Sequence, residues 1–300
     1  MNLKSRRLRS IWTIFWKSAV FICLWGMFYT PFIVPFKGHI VQLEKNFPHQ
    51  IRLYFEATGV LALLAAAWVM VRFIDRRPFR SLGFAPGHLV RDFLIGMGIG
   101  TVWLGLSVVA LWITGCISVR SSVTVFAPSL VWAAVTLLLN TVTQEVLVRS
   151  YIYQTIQSQT NFIWAIVGSS ILFMLLHAGA LAGAWLPGLN LVLAGVFFGV
   201  AYHLTGNLWL PIAIHFTWNF LLGPVLGLTV SGNNELNSGW QVLNMHGSAL
   251  LTGGSFGMEG GLIVTLTTAI GAAAMCRFIR EGKLEATPAI ASIESPDRRN

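Results

Sequence analysis

The chain has 300 residues, 55% hydrophobic and only 10% charged, with a mean hydropathy of +0.69. A water-soluble domain of this length carries about a quarter of its residues charged, so lipid must be the main solvent here. The net charge of +9 comes from Lys and Arg in short segments between apolar runs, where membrane orientation is written. A nucleic-acid groove would interleave those cations with aromatics on one face; no such pattern occurs, so nucleic acid is excluded as a partner.

In chain order, residues 1–17 form a basic amino-terminal segment expected on the cytoplasmic side. It has the charge of a signal-peptide n-region. The run that follows, Ser18–Phe36, is nevertheless as long as a full span and lacks an AxA-like cleavage site. A retained first helix is expected. Further apolar runs lie at Leu53–Val71, Phe93–Ile117, Ser129–Val148, Phe162–Leu176, Leu189–Tyr202, Leu208–Val230 and Gly261–Cys276. The fifth and sixth runs are short for a hydrocarbon core of about 30 Å at about 1.5 Å per residue, as suits helices around an aqueous cavity. The expected fold is all-α: a polytopic membrane bundle of about eight helices filling residues 18–280.

Basic residues set the orientation. Lys4, Arg6, Arg7, Arg9 and Lys17 precede the first run, and Arg72, Arg76, Arg77, Arg80 and Arg91 follow the second. Arg277, Arg280 and Lys283 follow the last, whereas the opposite side receives Lys37, Lys45, Arg52 and Arg120. Both termini are therefore expected in the cytoplasm. Residues 281–300 are expected to be a disordered tail. Ser231–Gly260, polar and rich in glycine, reads as a flexible external loop, either a gate or a plain spacer. Gly96, Gly98, Gly100 and Gly105 suggest close helix packing. Cys23, Cys116 and Cys276 form no CxxC pair and are expected to be small buried residues.

Polar groups inside such runs are costly and mark cavities, relays or reactions. Glu145 and Arg149, four residues apart, share a helix face and can pair, either to pin the helix or to hold one carboxylate oxygen toward water or metal. Gln144 lies about 100° round the helix from Glu145. Phe173 stands one turn before His177, an imidazole suited to proton relay, to cation binding, or simply to bonding a carbonyl at a helix end. His215 and Asn219 share a face and can bind an ion, stabilise an oxyanion or glue helices together. His203 and Asn207 are expected to be interfacial and solvated, and Glu56 and Glu259 have no evident partner. HExxH is absent.

Three fragments in order, QEVLVR at 144–149, FMLLH at 173–177 and HFTWN at 215–219, resemble the EExxxR, FxxxH and HxxxN motifs of the CPBP family of intramembrane proteases. This is the CAAX prenyl protease 2 or Abi-like family, and the resemblance spans approximately residues 131–228. It implies an endopeptidase that activates water against membrane-associated or lipidated peptides or proteins, within a lipid bilayer. The expected setting is a prokaryotic cytoplasmic membrane.

The family's first glutamate and its FxxxH histidine, which activate the water, fall on Gln144 and His177. Its oxyanion or metal-holding pair falls on His215 and Asn219, and its supporting acid and arginine fall on Glu145 and Arg149. A divalent metal, zinc first, is implied, with His177, His215 and Glu145 as the ligand set. Gln144 departs from the pattern, because an amide accepts no proton at neutral pH. Either Glu145 replaces it, or the chain is a catalytically impaired membrane peptide-binding or immunity protein. Transport remains a third class.

Overall fold

A computed structural model describes residues 3–120, 127–181, 183–234 and 242–280. The expected tail at 281–300 lies outside the described residues. The chain is an all-α membrane bundle. Its elements are α1 (Leu3–Ile33), α2 (Ile40–Asn46), α3 (Pro48–Val69) and α4 (Leu89–Ile113), then β1 (Ile117–Val119), α5 (Ala127–Glu145) and α6 (Tyr153–Gln159). There follow α7 (Phe162–Leu176), α8 (Ala178–Leu181), α9 (Trp185–Thr205), α10 (Trp209–Phe220), β2 (Leu243–Met245), α11 (Ala249–Thr252) and α12 (Leu262–Arg280).

Among the described residues, five helices are long and apolar enough to cross a membrane: Arg7–Phe36, Pro48–Ile74, Pro86–Ile113, Pro128–Gln159 and Trp185–Thr205. Phe162–Leu176 and Leu262–Arg277 are shorter apolar helices. The run expected to be short at Leu189–Tyr202 is thus a full-length helix, its first turn supplied by Trp185–Gly188. Large apolar side chains such as Ile11, Trp112, Val102 and Ile270 point outward, as a lipid solvent favours.

The bundle is held by a few tight crossings. α1 packs on α3, α3 on α5, α7 and α12 on α9, and α10 on α4 and α5. The α4–α10 seat depends on two glycines. A Cβ at Gly96 would stand 2.6 Å from Ala213 Cβ, and one at Gly100 would stand 2.9 Å from the Ile214 carbonyl oxygen. Their missing side chains let the two backbones approach closely. Gly98 and Gly105 meet nothing and have no such role. Trp103 of α4 stacks on Trp218 of α10, with ring centroids 3.8 Å apart, across the same crossing.

Where α5 reaches α6, the helix widens into a π-helical segment, Val146–Ile152, in which every residue is buried. This segment carries Arg149 into the middle of the bundle. The described parts of the 231–260 connection carry regular structure. β2 pairs antiparallel with β1, and short helical turns follow it. Two smaller expectations need correction. Cys23 is exposed rather than buried, while Cys116 is buried as expected. Asn207 is buried, not solvated, and donates to Asp92 Oδ2 at 3.4 Å.

Candidate functional site

Two adjacent residues of α5 serve two different surfaces. Glu145 faces the bundle interior and is fully buried with Arg149, whose Nη1 lies 3.3 Å from Glu145 Oε1. The same oxygen receives His215 Nδ1 at 2.9 Å. A carboxylate can only accept, so Nδ1 carries the proton. Arg149 also donates to the Gly195 carbonyl at 3.2 Å and lies beneath two aromatic rings, Phe173 at 4.6 Å and Phe198 at 5.4 Å. Removing a charge pair from water is expensive, and here ionic, hydrogen-bond and cation–π contacts all offset that cost. Phe198 stacks flat on His215 (4.8 Å, 18°). The unit fixes α5, α7, α9 and α10 relative to one another.

Gln144 turns the other way. It lines a cavity of about 400 Å³ together with Glu44, Arg52, Glu56, Asn140, His177 and Asn219, and with Ser231 and Asn233 at its rim. Its Nε2 donates to Asn140 Oδ1 at 2.7 Å, and Asn140 Nδ2 donates to Glu56 Oε1 at 2.9 Å. Gln144 Oε1 is buried without a protein partner.

His177 caps α7, and its Nδ1 lies 2.9 Å from the Phe173 carbonyl oxygen. Because that oxygen only accepts, Nδ1 must donate, which leaves Nε2 as the ring's acceptor. The carbonyl-bonded helix-end histidine and the cavity histidine are therefore the same arrangement. Phe173 packs against His177 (4.9 Å) and edge-on to His215 (5.6 Å), so one ring separates the cavity from the buried unit.

Of the six residues singled out from the sequence, Gln144, His177 and Asn219 line the cavity. Glu145, Arg149 and His215 form the buried unit behind them. Sequence reasoning missed Glu56 and Asn140 as cavity residues and Glu259 as the support of its rim. Glu259 accepts from Trp218 Nε1 at 2.8 Å, from Ser231 Oγ at 3.2 Å and from the Ser231 backbone N–H. Their signal was present: each is a polar residue within or beside an apolar run, but its partner is far away in sequence.

The donor set for a metal is less complete. Among the described residues, no three His, Cys, Asp or Glu side chains gather as an ion would require. Glu145 Oε1 is already shared between Arg149 and His215. The zinc expectation rests on the resemblance, and the chemistry below routes no step through a metal.

A family model described as "Type II CAAX prenyl endopeptidase Rce1-like" matches residues 126–221, which contain all three motif fragments. No curated protein and no solved structure matches the chain.

Proposed function

From the CAAX prenyl protease family core that the chain carries over residues 126–221, we propose that it hydrolyses peptide bonds of membrane-associated or lipidated peptides inside the bilayer. One observation carries the reading: His177, Asn219 and Gln144, from three separate helices, line one polar cavity of about 400 Å³ within an apolar bundle.

In this reading the neutral His177 holds the attacking water through Nε2, its other nitrogen being committed to the Phe173 carbonyl. The Asn219 carboxamide donates to the oxygen that becomes negative as water adds to the scissile carbonyl. Glu145, Arg149 and His215 do not touch the substrate. They hold α10 against α5, so that Asn219 meets the cavity at a fixed height. Low polarity around the cavity strengthens each of these interactions.

We place eight crossings in the bilayer, counting the five long helices, α7, α12 and α10 with its π-helical extension, and both termini in the cytoplasm of a prokaryotic cell.

The test is cleavage of an internally quenched peptide ending in a farnesylated Cys-aliphatic-aliphatic-X sequence, with purified protein in detergent micelles. His177→Ala is expected to lower kcat by about 10²–10⁴ and Asn219→Ala by about 10²–10³. Unchanged cleavage in both variants removes the assignment. Cleavage is expected to survive a chelator, with metal content measured alongside. A loss that zinc restores would return the metal reading.

A second reading, a membrane peptide-binding or immunity protein, is favoured by Gln144 alone. It requires that the native protein cleave nothing and that Gln144→Glu create activity.

A further inference from the structure

The cavity has lost a carboxylate at Gln144 but holds another, on a different helix. We propose that Glu56, on α3, is the general base of this site and takes the place of the glutamate that the first motif lacks. The inference rests on the hydrolase reading above and names the group that reading left unassigned.

The geometry joins the two positions through one side chain. Asn140 stands one turn before Gln144 on α5. Its amide nitrogen donates to Glu56 Oε1 at 2.9 Å, and its amide oxygen accepts from Gln144 Nε2 at 2.7 Å. Each contact dictates the next. An ionised carboxylate accepts only, so Asn140 must turn its NH2 toward Glu56, which leaves Oδ1 for position 144. A donor is then needed there, and glutamine supplies one. Glutamate at 144 would set a second acceptor against Oδ1 and add a further negative charge to a cavity already lined by Glu44 and Glu56. The pair Gln144 and Glu56 thus keeps an acid bonded to Asn140 and moves it from α5 to α3.

Glu56 is also suited to the task by its surroundings. It is half-buried and lines the same cavity as His177 and Asn219. Asn140 occupies Oε1. Arg52, one turn earlier on the same helix, lines the cavity too. Glu145 is a poorer candidate: it is fully buried, and its Oε1 is committed to Arg149 and His215.

The step balances without a further reactant. The Glu56 carboxylate takes a proton from the water held by His177, and the resulting hydroxide oxygen bonds to the scissile carbonyl carbon. The carbonyl π pair moves to its oxygen, which Asn219 stabilises. When that pair returns, the C–N bond breaks and the nitrogen leaves with the proton carried by Glu56. One water is consumed, one carboxyl and one amine product form, and the carboxylate is regenerated.

The experiment compares native protein, Glu56→Gln, Gln144→Glu and the double variant Glu56→Gln/Gln144→Glu on the quenched farnesylated peptide, with unfolding midpoints measured in parallel. Glu56→Gln keeps the shape of the side chain. It is expected to lower kcat by about 10²–10⁴ with little change in KM or in the midpoint. The double variant, which returns the acid to α5, is expected to recover at least tenfold over Glu56→Gln. Native-level kcat in Glu56→Gln overturns the proposal. So does a loss that the double variant fails to recover, which would make Glu56 a structural wall. An inactive native protein made active by Gln144→Glu alone overturns it while leaving the family chemistry intact. Failure of all four proteins to cleave removes the hydrolase reading itself.

Discussion

The crossing of α4 and α10 offers the sharpest quantitative test, because α10 carries both His215 and Asn219. Gly96→Ala adds one methyl group at a point where it would stand 2.6 Å from Ala213 Cβ and 2.8 Å from the Leu210 carbonyl oxygen. Ordinary carbon contacts lie at about 3.5–4.0 Å, so the helices must separate by about 1 Å. Neither neighbour is the free end of a flexible side chain, and overpacking of this kind costs about 1–3 kcal/mol.

Alanine also gains up to about 1 kcal/mol of helix propensity over glycine. Gly98→Ala cancels that term, since its methyl group would meet nothing within 4 Å on the same helix. The difference between the two variants therefore isolates the clash. Unfolding midpoints in mixed micelles should place Gly96→Ala about 1–3 kcal/mol below Gly98→Ala. Near-ultraviolet circular dichroism should also lose the signal of the Trp103–Trp218 stack that spans the crossing. A displacement of about 1 Å at α10 is expected to lower cleavage by about 10²-fold. Equal midpoints and equal spectra for the two alanines would refute the argument that backbone contact, and not side-chain packing, seats α10.

Other outcomes follow from the same contacts. Glu145→Gln leaves Arg149 fully buried without its anion and should cost about 3–5 kcal/mol. A midpoint within error of native would mean that the cation is held by Gly195 and the two phenylalanines alone. Glu259 lies outside the apolar helices, and its burial pushes the carboxyl above the usual range, only partly opposed by the Ser231 and Trp218 hydrogen bonds. A group whose folded value is raised contributes most at low pH and loses that contribution as pH climbs through the folded value. Relative to Glu259→Gln, the native protein should therefore lose stability as pH rises above about 4.3, measured as the difference between midpoints at acidic and neutral pH. A pH-independent difference would contradict this. The same variant should weaken the cavity rim, because an amide nitrogen placed against the Ser231 N–H offers no acceptor.

The residues themselves were sufficient for the class of fold and for the resemblance that the family model matches over residues 126–221. With so few charges the chain cannot dress a surface for water, and that excess of apolar residues survives any arrangement of the helices. The Glu145–Arg149 pairing and the angular offset of Gln144 from Glu145 were also legible, because both follow from helical spacing within one element. Gly96 and Gly100 announced close packing but not its partner, and Gly98 and Gly105 carried the same letter without the same use.

What tertiary structure alone decided was which long-range pairs share a volume. Glu56 and Asn140 are separated by 84 residues, Glu145 and His215 by 70, and no local periodicity encodes either contact. The helix ends shifted for the same reason: packing against neighbours, not hydropathy within the run, sets where α9 begins and where α5 widens around Arg149. Composition chose the solvent and spacing chose the helix faces. The crossings of distant helices placed the acid, the imidazole and the amide around one cavity, because a buried polar group is stable only where another element supplies its partner.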